Sequence, residues 1–128
     1  MAGLSKIENY LMALGVSFEE IGQNTWLIED PGKGLPKLII SWADPVVVVR
    51  ANVMTSPTRE REAFFAKLLQ LNAEQLLHGA YALEGDKVIL VDTLEYETMD
   101  KTEFEASIDA IGFALSEHYP LLSRFLAN

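Results

Sequence analysis

Few side chains in this sequence have the types and spacing that catalysis needs. The two histidines, His78 and His118, lie far apart, and neither stands beside a nucleophile in a known catalytic pattern. A histidine near a helix C-terminus, as expected for His118, suits the helix dipole, so we interpret both as structural. The chain has no cysteine, which excludes disulfides, thiolate nucleophiles and thiolate metal ligands. We therefore predict no catalytic residues and no enzyme activity.

Two segments could bind ions, but simpler explanations are favoured for both. The acidic residues between Asp92 and Glu103 could hold a divalent cation, yet this segment lacks the central glycine of a calcium loop. An acidic strand end followed by the first turn of a helix explains it. The segment Gly32-Lys33-Gly34 does not match the phosphate-binding loop pattern and leads into a strand, so we expect a turn. We predict no metal and no cofactor.

The charge of the chain argues against nucleic acid and membrane partners. It has 128 residues, 19 of them acidic and 10 basic, for a net charge of −9, and this charge repels phosphate groups. Residues 84–128 alone carry ten acidic and three basic side chains. Basic residues do not interleave with Trp26 and Trp42, so we expect both to pack on a sheet. With no signal-like N-terminus and no long apolar run, we expect a cytoplasmic protein.

The apolar periodicity predicts one α+β domain over residues 1–128, with an antiparallel sheet and the order α-β-β-β-β-α-β-β-α. Helices are expected to begin at Ser5, in a capping box with Glu8 after Leu4 as a staple, at Ser56-Pro57, and at Asp100. They are expected to end at Gly15, near Leu71 and at Pro120. The expected strands cover 16–21, 25–29, 35–42, 46–54, 79–83 and 88–94. The expected helical core stripes are Phe64, Phe65, Leu68, Leu69 and Leu71, and Phe104, Ile108, Ile111 and Leu115.

Two stretches of the predicted sheet are apolar on both faces. In the fourth strand, Val47, Val49, Ala51 and Val53 form one face, which we expect to be core. Val46 and Val48 begin the other face, which a half-solvated sheet would make polar. We expect either the third helix or an interface to cover these two valines.

The predicted hairpin has the same property. Its two-residue turn at Gly85-Asp86 pairs Ala82 with Ile89 and Ala80 with Val91 on a second apolar face. The sequence therefore predicts a partner-binding or dimer interface, and a domain built in this way is expected to self-associate. The residues predicted for this interface are Val46, Val48, Ala82, Ile89 and Val91.

In architecture the chain resembles the type III secretion chaperone-like fold, and more specifically the YbjN family of bacterial proteins. The resemblance is carried by the helix 7–15 and the strand with Trp26, by the segment Leu-Leu-x-Leu-Asn at 68–72 before the hairpin, and by the helix 104–119 with Pro120. It implies cytoplasmic, non-enzymatic proteins that usually dimerise. It further implies that chaperones of this fold hold extended segments of a partner against apolar patches. No catalytic residues carry over.

Two functions follow as expectations. The first is a chaperone-like protein-binding module, expected to be a homodimer, that holds or regulates a partner through apolar sheet and helix surfaces. Its acidic side chains would keep it soluble and favour a basic or amphipathic segment. The alternative is a sensory-transduction regulator that binds a small ligand in a pocket between sheet and helices.

Overall fold

The structure, a computed structural model, describes residues 5–33 and 35–126. The predicted staple residue Leu4 and the predicted turn residue Gly34 lie outside them. The elements follow the predicted order, with one added 3-10 turn at Pro31–Lys33. The helices are α1 (Lys6–Leu14), α2 (Arg61–Glu74) and α3 (Lys101–Ser123). The strands are β1 (Phe18–Gly22), β2 (Thr25–Asp30), β3 (Leu35–Ala43), β4 (Val46–Thr55), β5 (Ala80–Glu84) and β6 (Lys87–Glu95).

The six strands form one antiparallel sheet in the order β1-β2-β3-β4-β6-β5. Strands joined by short turns are neighbours, and β6 lies beside β4 with β5 at the edge. Gly85 has a φ of 63°, which a residue without a side chain adopts readily, so the hairpin turn is tight. Ala82 pairs with Ile89 and Glu84 with Lys87, as predicted. The predicted α+β class and single antiparallel sheet are confirmed.

All three helices pack on one face of the sheet. The buried side chains of this face and of the helices form one apolar cluster, and Val47, Val49 and Ala51 belong to it as predicted. Val53 lies at a bulge in the pairing with β6 and is only half-buried, although it still packs against the cluster. The largest fully buried side chains of the cluster are Trp26, Ile28, Leu38, Ile40, Leu90, Ile7, Leu11, Phe64, Phe104, Ile108, Ile111 and Leu122.

Two of the predicted helix starts are confirmed by their caps. The Ser5 hydroxyl accepts a hydrogen bond from the Glu8 backbone N–H at 3.1 Å, and the Glu8 carboxylate accepts one from the Ser5 N–H at 3.1 Å. Asp100 and Glu103 form the same reciprocal pair at the start of α3. These bonds satisfy N–H groups that have no partner inside a helix. Gly15 ends α1 with a φ of 70°.

The predicted start and end of α2 were wrong. The helix begins at Arg61, whereas Ser56 lies buried in the preceding loop. The backbone N–H of Ser56 donates to the Asp86 carbonyl at 2.7 Å, so Ser56 is bonded to the hairpin turn and does not cap a helix. The helix also continues past Leu71 to Glu74, over residues that we expected to be a connector. Leu69, expected in the core stripe, is exposed.

The predicted end of α3 at Pro120 was also wrong. The helix runs through the proline to Ser123. Proline has no N–H, so the carbonyl of Ser116 lacks its usual helical donor. Leu122, beyond the proline, is fully buried, and its burial favours continuing the helix. His118 consequently lies inside the helix and not at its end.

Candidate protein-binding surface

The side of the sheet opposite the helices carries a band of apolar side chains, here called the helix-free face. Its apolar residues alternate along each strand with residues of the core, and none of them belongs to the core cluster. Most are half-buried, which leaves part of each side chain in water. The half-buried or buried apolar residues of the helix-free face are Leu27, Ile39, Val46, Val48, Ala80, Ala82, Ile89 and Val91.

All five predicted interface residues lie on this face. Strand pairing sets Ala82 beside Ile89, and Val91 follows two residues later on the same side of β6. Val46 and Val48 lie further along β4, opposite Glu95 and Thr93. The expectation that α3 covers the two valines was wrong, because α3 packs on the other face of β4 through Val47 and Val49.

An ion pair crosses the middle of the face. Arg50 donates two hydrogen bonds to the Glu84 carboxylate, at 2.8 and 3.2 Å. Strand β6 lies between their backbones, and its residue Ile89, beside the pair, is only 7% exposed. The hydrogen bonds from Arg50 hold the pKa of Glu84 below its usual value. The sequence predicts that Glu84 lies opposite Lys87. It contains no local pattern that indicates an ion pair between Glu84 and Arg50, which is two strands away.

Two residues of the face were missed by the sequence analysis. Leu27 and Ile39 pair across β2 and β3, and each lies between buried neighbours of the opposite face. Both stand in runs of consecutive apolar residues, which is the same sequence signal that Val46 and Val48 carry in the fourth strand. With Arg50 and two further polar residues they line a hollow of about 180 Å³.

The charged side chains of the helix-free face are nearly balanced, unlike those of the whole chain. Three basic and four acidic residues share this face by their strand positions. They are Lys37, Arg50 and Lys87, and Glu19, Glu29, Glu84 and Glu95. Most of the net charge of −9 is therefore carried by other parts of the molecule.

On the helix side, one side chain of α2 closes the outer edge of β5. The Asn72 amide donates to the Tyr81 carbonyl at 3.2 Å and accepts from the Tyr81 N–H at 2.7 Å. A neighbouring strand would offer the same donor and acceptor to Tyr81. Asn72 therefore takes the place of a pairing strand at the middle of this edge.

Two buried polar pairs join the sheet to α3. The Tyr81 hydroxyl lies 2.7 Å from Nδ1 of His118, which is 4% exposed. Burial lowers the pKa of His118, with a smaller lowering by Lys67 and an opposing effect of Glu117. Burial also raises the pKa of Tyr81.

The second pair uses an acidic residue that the sequence placed in solvent. The Ser107 hydroxyl, fully buried in α3, donates to the Asp92 carboxylate at 2.7 Å. Asp92 therefore faces the helices. Asp100 and Glu103, from the same acidic segment, are held in the helix cap. Within 5–33 and 35–126, no group of three or more potential ligands is placed to hold a metal ion.

Both tryptophans pack as predicted. Trp26 is buried under α1 and donates to the Glu8 carboxylate at 3.2 Å. Trp42 stacks on Tyr96, with ring centres 4.0 Å apart. No helix in the described part of the chain is long and apolar enough to span a membrane.

Comparisons with known proteins agree with this architecture. The family model CesT_Tir_1 matches residues 2–128. No curated protein matches the chain in sequence. A chain of the heterodimeric ExoU–SpcU complex, from the type III secretion system of Pseudomonas aeruginosa, has a TM-score of 0.76 at 16% identity over 92% of this chain and 98% of that one.

Two further solved structures share the fold. YbjN from E. coli has a TM-score of 0.66 at 18% identity, covering 94% of this chain and 93% of its own. A chain of the HopA1–SchA chaperone–effector complex has a TM-score of 0.64 at 8% identity, covering 88% of both.

Proposed function

Because the chain belongs to the CesT_Tir_1 family, a type III secretion chaperone family, we propose that it is a non-enzymatic chaperone-like module of the cytoplasm. In this role it holds or regulates a partner protein, and it works as a homodimer. Two of its structural relatives come from complexes with a second protein, ExoU–SpcU and HopA1–SchA. This supports a binding role for the shared fold.

The observation that carries the dimer proposal is the helix-free face. Covering apolar surface is favourable by about 25 cal/mol for each Å² removed from water. Two copies with a net charge of −9 repel each other, but the nearly balanced charges of this face keep most of that repulsion away from the contact. A sheet face that meets its own copy about a two-fold axis forms a closed dimer.

The substitution Val48→Asp tests this assignment. It places a charge at the apolar contact, so we expect it to convert the dimer to a monomer. The folded monomer should survive, because Val48 is half-exposed and outside the core cluster. Sedimentation velocity over a range of concentrations measures the change, and circular dichroism checks the fold.

The control is Leu77→Asp, which makes the same kind of change at a side chain that is 92% exposed and lies outside the sheet. This variant should remain a dimer. A wild-type protein that is strictly monomeric up to high micromolar concentration would overturn the dimer proposal. An affinity pull-down from the native host would then identify the partner protein.

A further inference from the structure

A cleft of about 350 Å³ lies between α2 and the C-terminal end of α3. One side consists of Lys67 and of Glu60, the residue that precedes α2, and the other side consists of Leu121, Arg124 and Phe125. The cleft is separate from the helix-free face, because both helices pack on the opposite side of the sheet. Its volume is within the range of small-molecule sites, so the chemistry of the lining decides what it can bind.

The apolar wall of the cleft is held in place by the core. It consists of Leu121 and Phe125, which are both half-buried. The ring of Phe125 packs edge-on against the fully buried ring of Phe64, with ring centres 5.2 Å apart. The backbone N–H of Phe125 donates to the Leu122 carbonyl at 3.1 Å, which fixes the turn after α3. A ligand therefore meets a wall that is already formed, and its binding need not order these side chains.

The charge of the cleft is opposite in sign to that of the whole chain. Its lining carries two basic side chains, Lys67 and Arg124, and one acidic side chain, Glu60. A third basic residue, Arg59, lines a neighbouring hollow that shares Phe125 with the cleft. These four charged side chains together are positive, on a molecule whose net charge is −9. The cleft therefore favours a ligand with negative charge.

The basic side chains of the cleft have no acidic partner. Among the residues that the structure describes, none of the three forms an ion pair. Lys67 is nevertheless half-buried. Burial lowers the pKa of His118 and Lys67 lowers it further, so the ammonium of Lys67 lies near α3, where Glu117 has the opposite effect. A half-buried ammonium attracts an anion more strongly than a fully exposed one, because water and salt screen it less.

We propose that this cleft binds a small organic anion in which a carboxylate ends an apolar chain or ring. The apolar part packs on Leu121 and Phe125, and the carboxylate binds the charged ends of Lys67 and Arg124. A guanidinium can donate two parallel hydrogen bonds to the two oxygens of a carboxylate, which favours this group over other anions. The apolar wall consists of two side chains, so one apolar group is enough to cover it.

The test uses three compounds that separate the charge of the ligand from its apolar part. Phenylbutyrate carries both, phenylbutylamine has the same ring and chain with the opposite charge, and acetate has the carboxylate alone. Titrations of the full chain, followed by the chemical shifts of its backbone amides, measure each affinity and locate each compound. We expect phenylbutyrate to bind with a Kd on the order of 1 mM and to shift Lys67, Leu121 and Arg124 most. Phenylbutylamine and acetate should bind at least about tenfold more weakly.

Two matched pairs of variants assign the binding to the cleft. Lys67→Gln removes a half-buried charge, and we expect it to weaken phenylbutyrate about three- to tenfold, more than the loss of an exposed ion pair. Its control, Lys101→Gln, removes an exposed lysine at the start of α3 and should bind as the wild type does. Glu60→Gln removes the opposing carboxylate and should strengthen binding about two- to fivefold. Glu62→Gln, at an exposed position of α2 outside the lining, should leave it unchanged.

Four results would overturn the proposal. They are equal binding of phenylbutyrate and phenylbutylamine, equal effects of the two lysine variants, no binding of phenylbutyrate, and shift changes centred on the helix-free face. Acetate that binds as strongly as phenylbutyrate would reveal an anion site without an apolar contact, which also contradicts it. Circular dichroism of each variant checks that a lost affinity does not reflect a lost fold.

Discussion

At the scale of single residues, the buried contact between Tyr81 and His118 links stability to pH. Its tyrosine comes from the edge strand and its histidine from the middle of α3, 37 residues apart in sequence. Because the imidazole is desolvated, the folded chain resists protonating it. Lys67 on α2 acts in the same direction as burial, while Glu117 opposes it.

We predict that the free energy of unfolding falls as the pH drops below 6.5. The ordinary pKa of histidine is 6.5, and that of His118 in the folded chain is lower. The unfolded chain therefore takes up the proton first, so this stabilisation is full above 6.5 and is lost towards the folded pKa. Urea unfolding at about pH 7.5 and about pH 5.5 measures it.

Two glutamine substitutions separate this histidine from the other. His118→Gln should remove the pH dependence, and His78→Gln, at an exposed position, should retain it. An equal pH dependence in wild type and His118→Gln would contradict the prediction.

Sequence could not reveal this pair. A proline two residues after His118 predicted a helix end, and a histidine at such an end has a sufficient explanation in the helix dipole. The helix instead continues, because Leu122 is buried beyond the proline. Tyr81 is predicted only as a strand residue, and nothing in its neighbourhood points to α3.

At the scale of elements, Asn72 fixes how α2 meets the edge strand β5. Its side chain satisfies both backbone groups of Tyr81, a residue that is itself buried. We predict that Asn72→Ala lowers the free energy of unfolding by about 1–3 kcal/mol, the usual cost of leaving buried polar groups unpaired. Urea unfolding measures the change.

The matched control for that change is Gln70→Ala, which removes an amide from an exposed position of the same helix. It should change the free energy of unfolding by less than about 0.5 kcal/mol. If the two variants lose equal stability, the contact with Tyr81 is not the cause.

The elements were predictable where local chemistry decides them. The capping boxes at Ser5 and Asp100 gave two helix starts, and the Gly85-Asp86 turn gave the register of the hairpin. The start of α2 was not predictable, because Ser56 is held by a carbonyl of the hairpin turn that lies 30 residues further along the chain. Local patterns do not report such contacts.

The candidate surface was also predictable only where local sequence decides it. Alternation along the strands identified five of its residues, and their placement on one face agrees with the structure. The Arg50–Glu84 pair depends on strand order, which the sequence pattern does not encode. Whether this surface joins two copies stays a prediction.

At the scale of the whole molecule, charge should oppose the proposed homodimer. Copies with a net charge of −9 repel each other. Added salt screens this repulsion, since the screening length falls from about 10 Å at 0.1 M to about 3 Å at 1 M. We predict that raising the salt strengthens the homodimer.

Sedimentation velocity over one salt series measures the effect. A homodimer that weakens with salt would contradict the assignment of its contact to a nearly charge-balanced apolar face.

The asymmetry of the sheet edges limits how many copies can join edge to edge. A row of subunits grows without end only if the last strand of one copy can pair with the first strand of the next. In this fold Asn72 occupies the middle of the β5 edge, whereas β1 ends the sheet at the other side. Pairing of β1 with β1 uses up the edge of both copies, so an assembly built by edge pairing alone stops at two copies.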